Sequence, residues 1–168
     1  MSRSDPAPDV VAPPPLLFLL ALAGGFALDW ALPTAVLGAV PVPARLALAG
    51  LAFAGAGALG VGGILAFRRA GTAVEPWHPA DALVTTGIFA RLRNPMYLGL
   101  LLILTAVALA AASDGVAAAV PALAAALHEG VVKREERYLS ERFGEPYRRY
   151  LARVPRWVPA ISRSRHGD

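Results

Sequence analysis

Gly87-Ile-Phe-Ala-Arg-Leu-Arg-Asn-Pro-Met-Tyr-Leu-Gly99 is a short basic junction that runs into an apolar stretch, residues 96–112, without a single charge. Asparagine is favoured at a helix N-cap, and proline is tolerated at the first helical position because its missing N–H would be unpaired there anyway. The junction therefore predicts a helix starting at Pro95, capped by Asn94. Its free backbone N–H groups and positive dipole end would lie beside Arg91 and Arg93. Such a corner suits an anion. A capped membrane helix whose arginines merely anchor it to headgroups has the same local sequence.

Working outward, the apolar character continues. The 168 residues are 56% hydrophobic and 17% charged, with mean hydropathy +0.51. Soluble domains carry about a quarter charged residues. Four apolar stretches approach or exceed the roughly 17–25 residues needed to cross a bilayer: 16–32, 46–67, 96–112 and 116–132. The expected fold is all-α, an integral membrane bundle of four transmembrane helices with a cytoplasmic helical tail. Its expected divisions are a disordered lead (1–15), a transmembrane domain (16–132) with a cytoplasmic loop (68–95), a cofactor-covering tail (133–158) and a flexible terminus (159–168).

The first span must be weighed against a secretory signal, since Ala21-Leu22-Ala23 resembles a cleavage site. Asp5 and Asp9 outnumber Arg3, however, and the apolar run continues, which favours a retained helix. Asp29 near its end reads as interfacial or, less often, as a buried polar contact. In the second span Gly50, Ala54, Ala58 and Gly62 recur every fourth residue, a small-residue stripe suited to close helix packing. Glu75-Pro76-Trp77-His78-Pro79 reads as an extended surface segment because residues before proline avoid helix. Ser113-Asp114-Gly115 reads as a tight turn, and Pro121 as a kink in the fourth span.

Charge sets the orientation. From Lys133 onward there are ten Lys/Arg against five Asp/Glu, whereas the first 132 residues carry six against seven. Segments 1–15, 68–95 and 133–168 hold one, four and ten Lys/Arg, and the intervening short loops hold only Arg45. The positive-inside bias then places both termini in the cytoplasm, in an inner or plasma membrane. No nucleic-acid motif accompanies the basic tail. In the tail, residues 133–143 read as a helix continuing the fourth span, with Tyr138, Leu139 and Phe143 as its apolar contacts. Gly144 stops it, Glu145-Pro146 opens another short helix, and Trp157 suits an interfacial anchor.

Candidates for chemistry are few. The chain has no cysteine, so it has no thiol nucleophile and no Cys-based metal site. His78, His128 and His166 fall on separate segments without paired ligand spacing, and no metal is expected. His128 and Glu129 lie in the last turns of the fourth span, where ionisable groups are functional candidates. At helical spacing His128 would fall over Glu135 and Glu129 over Glu136. A solvated, salt-bridged surface helix would read the same way.

The order of pieces nevertheless resembles a known family. Arg93-Asn94-Pro95-Met96-Tyr97-Leu98-Gly99 is followed by a hairpin of spans and Glu135-Glu136-x-x-Leu139. Then comes Phe143-Gly144-x-x-Tyr147-x-x-Tyr150-x-x-x-Val154-Pro155. Over residues 70–158 this is similar to the isoprenylcysteine carboxyl methyltransferases, to which the phospholipid N-methyltransferases are related. The resemblance implies an integral-membrane methyltransferase using S-adenosylmethionine and a lipophilic or lipidated acceptor that enters from the bilayer. It implies a cofactor site at Gly87, Arg93, Asn94, Pro95, Tyr97, Gly99, Glu135, Glu136 and Tyr147. Many relatives carry histidine at the position of Asn94, so a role of the backbone or the amide transfers and a role of an imidazole does not.

Elementary chemistry is consistent with that site. Arg93 and the helix end at Pro95 suit the cofactor's carboxylate, Glu135 or Glu136 its hydroxyls or ammonium, and Tyr97 or Tyr147 its flat or cationic parts. An ionised acceptor requires no base; for an amine or thiol acceptor His128 is the candidate general base, with Arg93 beside the reacting groups. No covalent enzyme intermediate is expected. Two other readings stand beside this one. An NADPH-dependent sterol-type reductase carries a similar C-terminal pattern in a larger, more multispanning chain. A non-enzymatic membrane scaffold would use the tail only as a lipid anchor.

Overall fold

A computed structural model describes residues 9–72 and 79–157. The first eight residues of the expected lead, the Glu75-Pro76-Trp77-His78 stretch and the expected flexible terminus lie outside the described residues. Among the described residues the fold is all-helical. The principal helices are α1 (Pro14–Ala31), α2 (Val42–Ala70), α3 (Pro95–Ala111), α4 (Asp114–Leu127), α5 (Lys133–Phe143) and α6 (Glu145–Arg153). A π-helical turn, His128–Val132, joins α4 to α5 without a break, and single 3-10 turns occupy Leu37–Ala39 and Gly87–Ala90.

Proline sets several helix starts. Pro14 and Pro15 open α1, Pro43 lies in the first turn of α2, Pro95 opens α3 and Pro146 is in the first turn of α6. First-turn N–H groups have no partner within the helix, so proline loses nothing there. This corrects two expected boundaries. Residues 14–15 belong to the first helix rather than to the lead, and the second helix reaches back to Val42 rather than starting at residue 46. The stops are glycines in left-handed or related conformations, Gly71 (φ 65°) and Gly144 (φ 59°). Between α3 and α4 the chain reverses on Ala112 (φ 53°) and Ser113.

α2, α3 and α4 pack side by side, and α1 lies on α4. α3 is the inner helix, with Leu104 and Ala108 fully buried. Among the described residues three helical stretches are long and apolar enough to cross a membrane: Pro14–Ala31, Val42–Ala70 and Asp114–Phe143. α3 is apolar but has 17 residues. At 1.5 Å per residue it is about 25 Å long, somewhat less than a hydrocarbon core. The small-residue stripe expected at Gly50, Ala54, Ala58 and Gly62 is not the one that packs: the first three are exposed. Ala49, Ala56 and Gly63 are buried instead, with Ala66. A four-residue repeat drifts by about 40° per step around a helix. A seven-residue repeat drifts by only about 20° and keeps one face against a neighbour.

At the far end of the bundle, two aspartates knot α1 to α4. The Asp29 carboxylate accepts the Gly115 N–H at 2.6 Å and the Ser113 hydroxyl, and so serves the N-terminus of α4 from a neighbouring helix. Half-buried Asp29 thus makes the polar contact that is the second reading of its position. The Asp114 carboxylate accepts Thr34 Oγ1 at 2.6 Å and the N–H groups of Val36 and Leu37 at 2.7 and 2.8 Å. Glycine is required at the crossing: a Cβ on Gly115 would lie 2.1 Å from the Gly25 carbonyl oxygen.

Candidate functional site

The opposite end gathers the junction and the tail. Gly87 adopts φ 62° and starts the 3-10 turn, which buries Phe89 edge-on against Phe67 (5.2 Å between ring centres). The chain then passes through fully buried Leu92 to Arg93 and Asn94. α3 starts at Pro95 with Asn94 in the N-cap position, but the Asn94 side chain makes no capping bond. Its amide instead donates to the Arg156 carbonyl at 3.1 Å. The position was legible; the expected use of the side chain was not, because the partner lies 62 residues away.

The tail is fastened over this junction by several bonds. The Arg93 N–H donates to the Pro155 carbonyl at 3.0 Å, and the Tyr150 hydroxyl to the Phe89 carbonyl at 2.8 Å. Glu136 links three elements: its Oε1 accepts Arg93 Nη1 at 2.8 Å and Arg156 Nε at 2.9 Å, and its Oε2 accepts Arg156 Nη2 at 2.6 Å. This guanidinium–carboxylate fork holds the Arg156 charge and raises its pKa further. Tyr147, Tyr150 and Val154 are buried together with Leu139 and Phe143, so the aromatic spacing of the tail builds its own small core. Burial pushes the Tyr147 and Tyr150 hydroxyls well above the usual tyrosine range, so both stay neutral.

On the face of α3 is a cavity of about 340 Å³, to whose lining the tail contributes Glu135. One end is polar, with Arg93, Asn94, Tyr97 and Glu135; the Tyr97 hydroxyl donates to Glu135 at 3.0 Å. The other end is apolar, with Ala56, Gly60 and Ile103. Arg93 lines the cavity, and its Nε is buried without a hydrogen-bond partner, as is Arg45 Nε in the first turn of α2. A buried guanidinium donor of this kind is costly unless something accepts from it.

Of the expected site residues, Arg93, Asn94, Pro95, Tyr97, Gly99 and Glu135 line the cavity. Glu136 stands behind Arg93 and holds it. Gly87 shapes the turn and Tyr147 belongs to the tail core; neither lines the cavity. His128 does not line it either: its Nδ1 accepts the Trp157 indole N–H at 3.4 Å. Trp157 therefore packs on His128. A π-helical turn, His128–Val132, intervenes between His128 and Glu135 and between Glu129 and Glu136, so the regular helical spacing expected there does not hold. Glu129 is exposed and pairs with Lys133 at 2.7 Å, whereas Glu136 is buried in the arginine fork.

Sequence reasoning missed Arg156 and the walls contributed by Pro14, Pro15, Ala56 and Gly60. No local pattern marks them, since each acts on a residue far away in the chain.

A family model described as phospholipid methyltransferase matches residues 44–146, more than half of the chain. The match runs from the first turn of α2 into α6, and so contains the junction, α3, Glu135 and Glu136. No curated protein matches the chain.

Proposed function

The chain belongs to the phospholipid methyltransferase family, the same family as the isoprenylcysteine carboxyl methyltransferase-like enzymes, and on that premise we propose that it transfers a methyl group from S-adenosylmethionine to a lipophilic acceptor. It is an integral membrane protein. In the proposed arrangement α3 completes a set of four crossings, both termini are cytoplasmic, and residues 133–158 form the cofactor-covering tail.

The observation that carries this reading is the two-natured cavity with an unpartnered buried Arg93 Nε at its polar end. That donor and the start of α3 suit the carboxylate of the cofactor. Glu135, held by Tyr97, suits its ammonium or ribose hydroxyls. Glu136 and Arg156 fix the plane of the Arg93 guanidinium and fasten the tail, which shields the polar end from water. When bound, the cofactor supplies an electrophilic methyl group on a sulfonium.

The residues around it have a limited task. Methyl transfer is an in-line displacement, helped chiefly by alignment of the reactants and exclusion of water. An ionised carboxylate or thiolate acceptor needs no base, and an amine needs only to arrive unprotonated. His128, turned to Trp157 and away from the cavity wall, has no part in this arrangement.

The test is binding to detergent-purified protein. S-adenosylmethionine is expected to bind and NADPH is not. Binding of NADPH alone would refute the reading in favour of a reductase, and binding of neither would favour a scaffold. Incubation of a lipid extract with methyl-labelled cofactor then identifies the acceptor, which is a lipophilic carboxylate, thiol or amine on this reading.

A further inference from the structure

Three glycines lie along the seam between α2 and α3, and they serve different ends. A Cβ on Gly63 would come within 2.7 Å of Met96 Cγ. One on Gly99 would lie 3.4 Å from the Ala56 carbonyl oxygen and 3.9 Å from Leu59 Cβ. Those two let the helices approach, as small residues do between membrane helices. The same contacts fix the register: α2 and α3 run antiparallel, with residues 56–63 against residues 96–99. Gly60 lies inside that stretch, about one turn from both Ala56 and Gly63. A Cβ on it would meet no atom within 4 Å beyond its own helix, among the described residues. Gly60 nevertheless lines the cavity.

Helix packing therefore does not account for Gly60, and a glycine inside a helix weakens it relative to alanine. What the missing side chain leaves is space. That space lies where the polar end of the cavity, with Tyr97 in the first turn of α3, gives way to the apolar end at Ala56 and Ile103. An alanine at this point would narrow the passage, and a leucine would fill it. A polar group placed against Ala56 and Ile103 would lose its hydrogen bonds to water without replacement, whereas a hydrocarbon chain would lose nothing. Gly57, three residues earlier, is the contrast. It is exposed, equally free of neighbours, and outside the cavity lining.

We propose that Gly60 determines acceptor specificity. It keeps the two ends of the cavity joined, so that an acceptor holds its reacting group at the polar end and its hydrocarbon at the apolar end. This role rests on the methyl-transfer reading above and adds to it the residue that sets the bulk of what is accepted. The groups that suit the cofactor, namely Arg93, the start of α3 and Glu135, belong to other elements. A change at Gly60 alters the acceptor's room and leaves them in place.

Gly60→Ala and Gly60→Leu are compared with Gly57→Leu, which adds a side chain to the same helix outside the cavity. The readouts are the thermal melt in detergent, S-adenosylmethionine affinity by isothermal titration, and the rate of methyl transfer from labelled cofactor to a limiting amount of lipid extract. One surplus methyl group in a fitted apolar site costs about tenfold in kcat/KM. Gly60→Ala is therefore expected to slow transfer about tenfold and Gly60→Leu at least about a hundredfold. Both are expected to keep wild-type cofactor affinity and a melt no lower than wild type, and Gly57→Leu to match wild type throughout. Transfer by Gly60→Leu at the wild-type rate would overturn the proposal, as would equal losses in Gly60→Leu and Gly57→Leu. Weakened cofactor binding in Gly60→Ala would make Gly60 part of the cofactor's site and overturn it too. If Gly60→Leu lowers the melt, Gly60→Ala decides alone, since alanine is the better helix former. A wild-type protein that binds S-adenosylmethionine but methylates nothing in the extract would refute the acceptor role of Gly60. One that binds no S-adenosylmethionine would refute the methyl-transfer reading itself, and this role with it.

Discussion

Both ends of this helical bundle are held together by pairs of carboxylates, and the two ends are built differently. At one end Asp29 and Asp114 take their hydrogen bonds from backbone N–H groups and hydroxyls, with no cation involved. The helices there touch glycine to glycine. At the other end Glu135 and Glu136 are met by Tyr97, Arg93 and Arg156, long side chains from two separate parts of the chain. One of those side chains keeps a buried donor unpartnered, beside a cavity. A saturated knot fixes geometry. An unsaturated one leaves a demand that a ligand can meet, and the cavity lies at that second end.

The comparison breaks most visibly at the tight end. Gly115→Ala would drive a methyl group into the Gly25 carbonyl oxygen, an approach that requires α1 and α4 to separate. Overpacking of this kind destabilises by about 3 kcal/mol. A thermal melt in detergent is expected to show a clear loss, while surviving folded protein keeps its affinity for S-adenosylmethionine. A neutral effect on the melt would mean that the helices do not cross so closely.

The next largest effect belongs to the other end. Arg93→Ala removes the unpartnered donor and one arm of the Glu136 fork. A charge-assisted hydrogen bond is worth about 2 kcal/mol, or about thirtyfold in affinity. Isothermal titration is expected to show S-adenosylmethionine weakened by that factor with helicity intact. Arg93→Lys is not expected to rescue it, because one ammonium cannot serve Glu136 and a ligand carboxylate in the guanidinium's fixed plane. Unchanged affinity in the alanine variant would take Arg93 out of the site. Glu136→Gln, which loosens Arg93 without touching the ligand, is expected to weaken binding less.

A smaller substitution sharpens the contrast. Asp29→Asn keeps one acceptor oxygen and loses the other, together with the negative charge at the start of α4. The expected loss is about 1 kcal/mol of stability. It should appear in the melt and not in the titration. A change in cofactor affinity would show that the two ends are coupled through α4 and are not separate in role.

How much of this was legible depends on how local each feature is. The start of α3 at Pro95, the stop at Gly144 and the helix opened by Glu145-Pro146 are written in neighbouring residues, and they stand where the sequence puts them. The family was legible because three motifs keep their order and spacing. The start of α2 was not, because Pro41 and Pro43 suit a loop and a first helical turn equally well. The packing stripe of α2 was not legible either: in a run of alanine, glycine and leucine nearly every face is small. The π-helical turn has no local signature, and it moved Glu129 out to Lys133 and left Glu136 facing the arginines. Arg93, Tyr97 and Glu135 could be named in advance, and they line one cavity. Arg156 could not, since its partners are set only by tertiary packing.

The smallest expected effect concerns the residue on which the sequence and the structure differ most. His128 is the natural candidate for a base by position, an imidazole near the end of a buried helix. In the structure its Nδ1 accepts from the Trp157 indole at 3.4 Å, a long bond near the limit of useful geometry, and its ring does not reach the cavity. A bond so stretched contributes at most about 0.5 kcal/mol. His128→Asn is therefore expected to shift the melt slightly and to leave the pH dependence of methyl transfer unchanged. A general base would behave otherwise: its removal would abolish the limb of the pH–rate profile that follows imidazole deprotonation and lower the rate by at least about a hundredfold. Loss of that limb would bring His128 back into the chemistry. It would also mean that the tail swings Trp157 aside during turnover, so that the end built from long, loosely held side chains is mobile in the way the aspartate end is not.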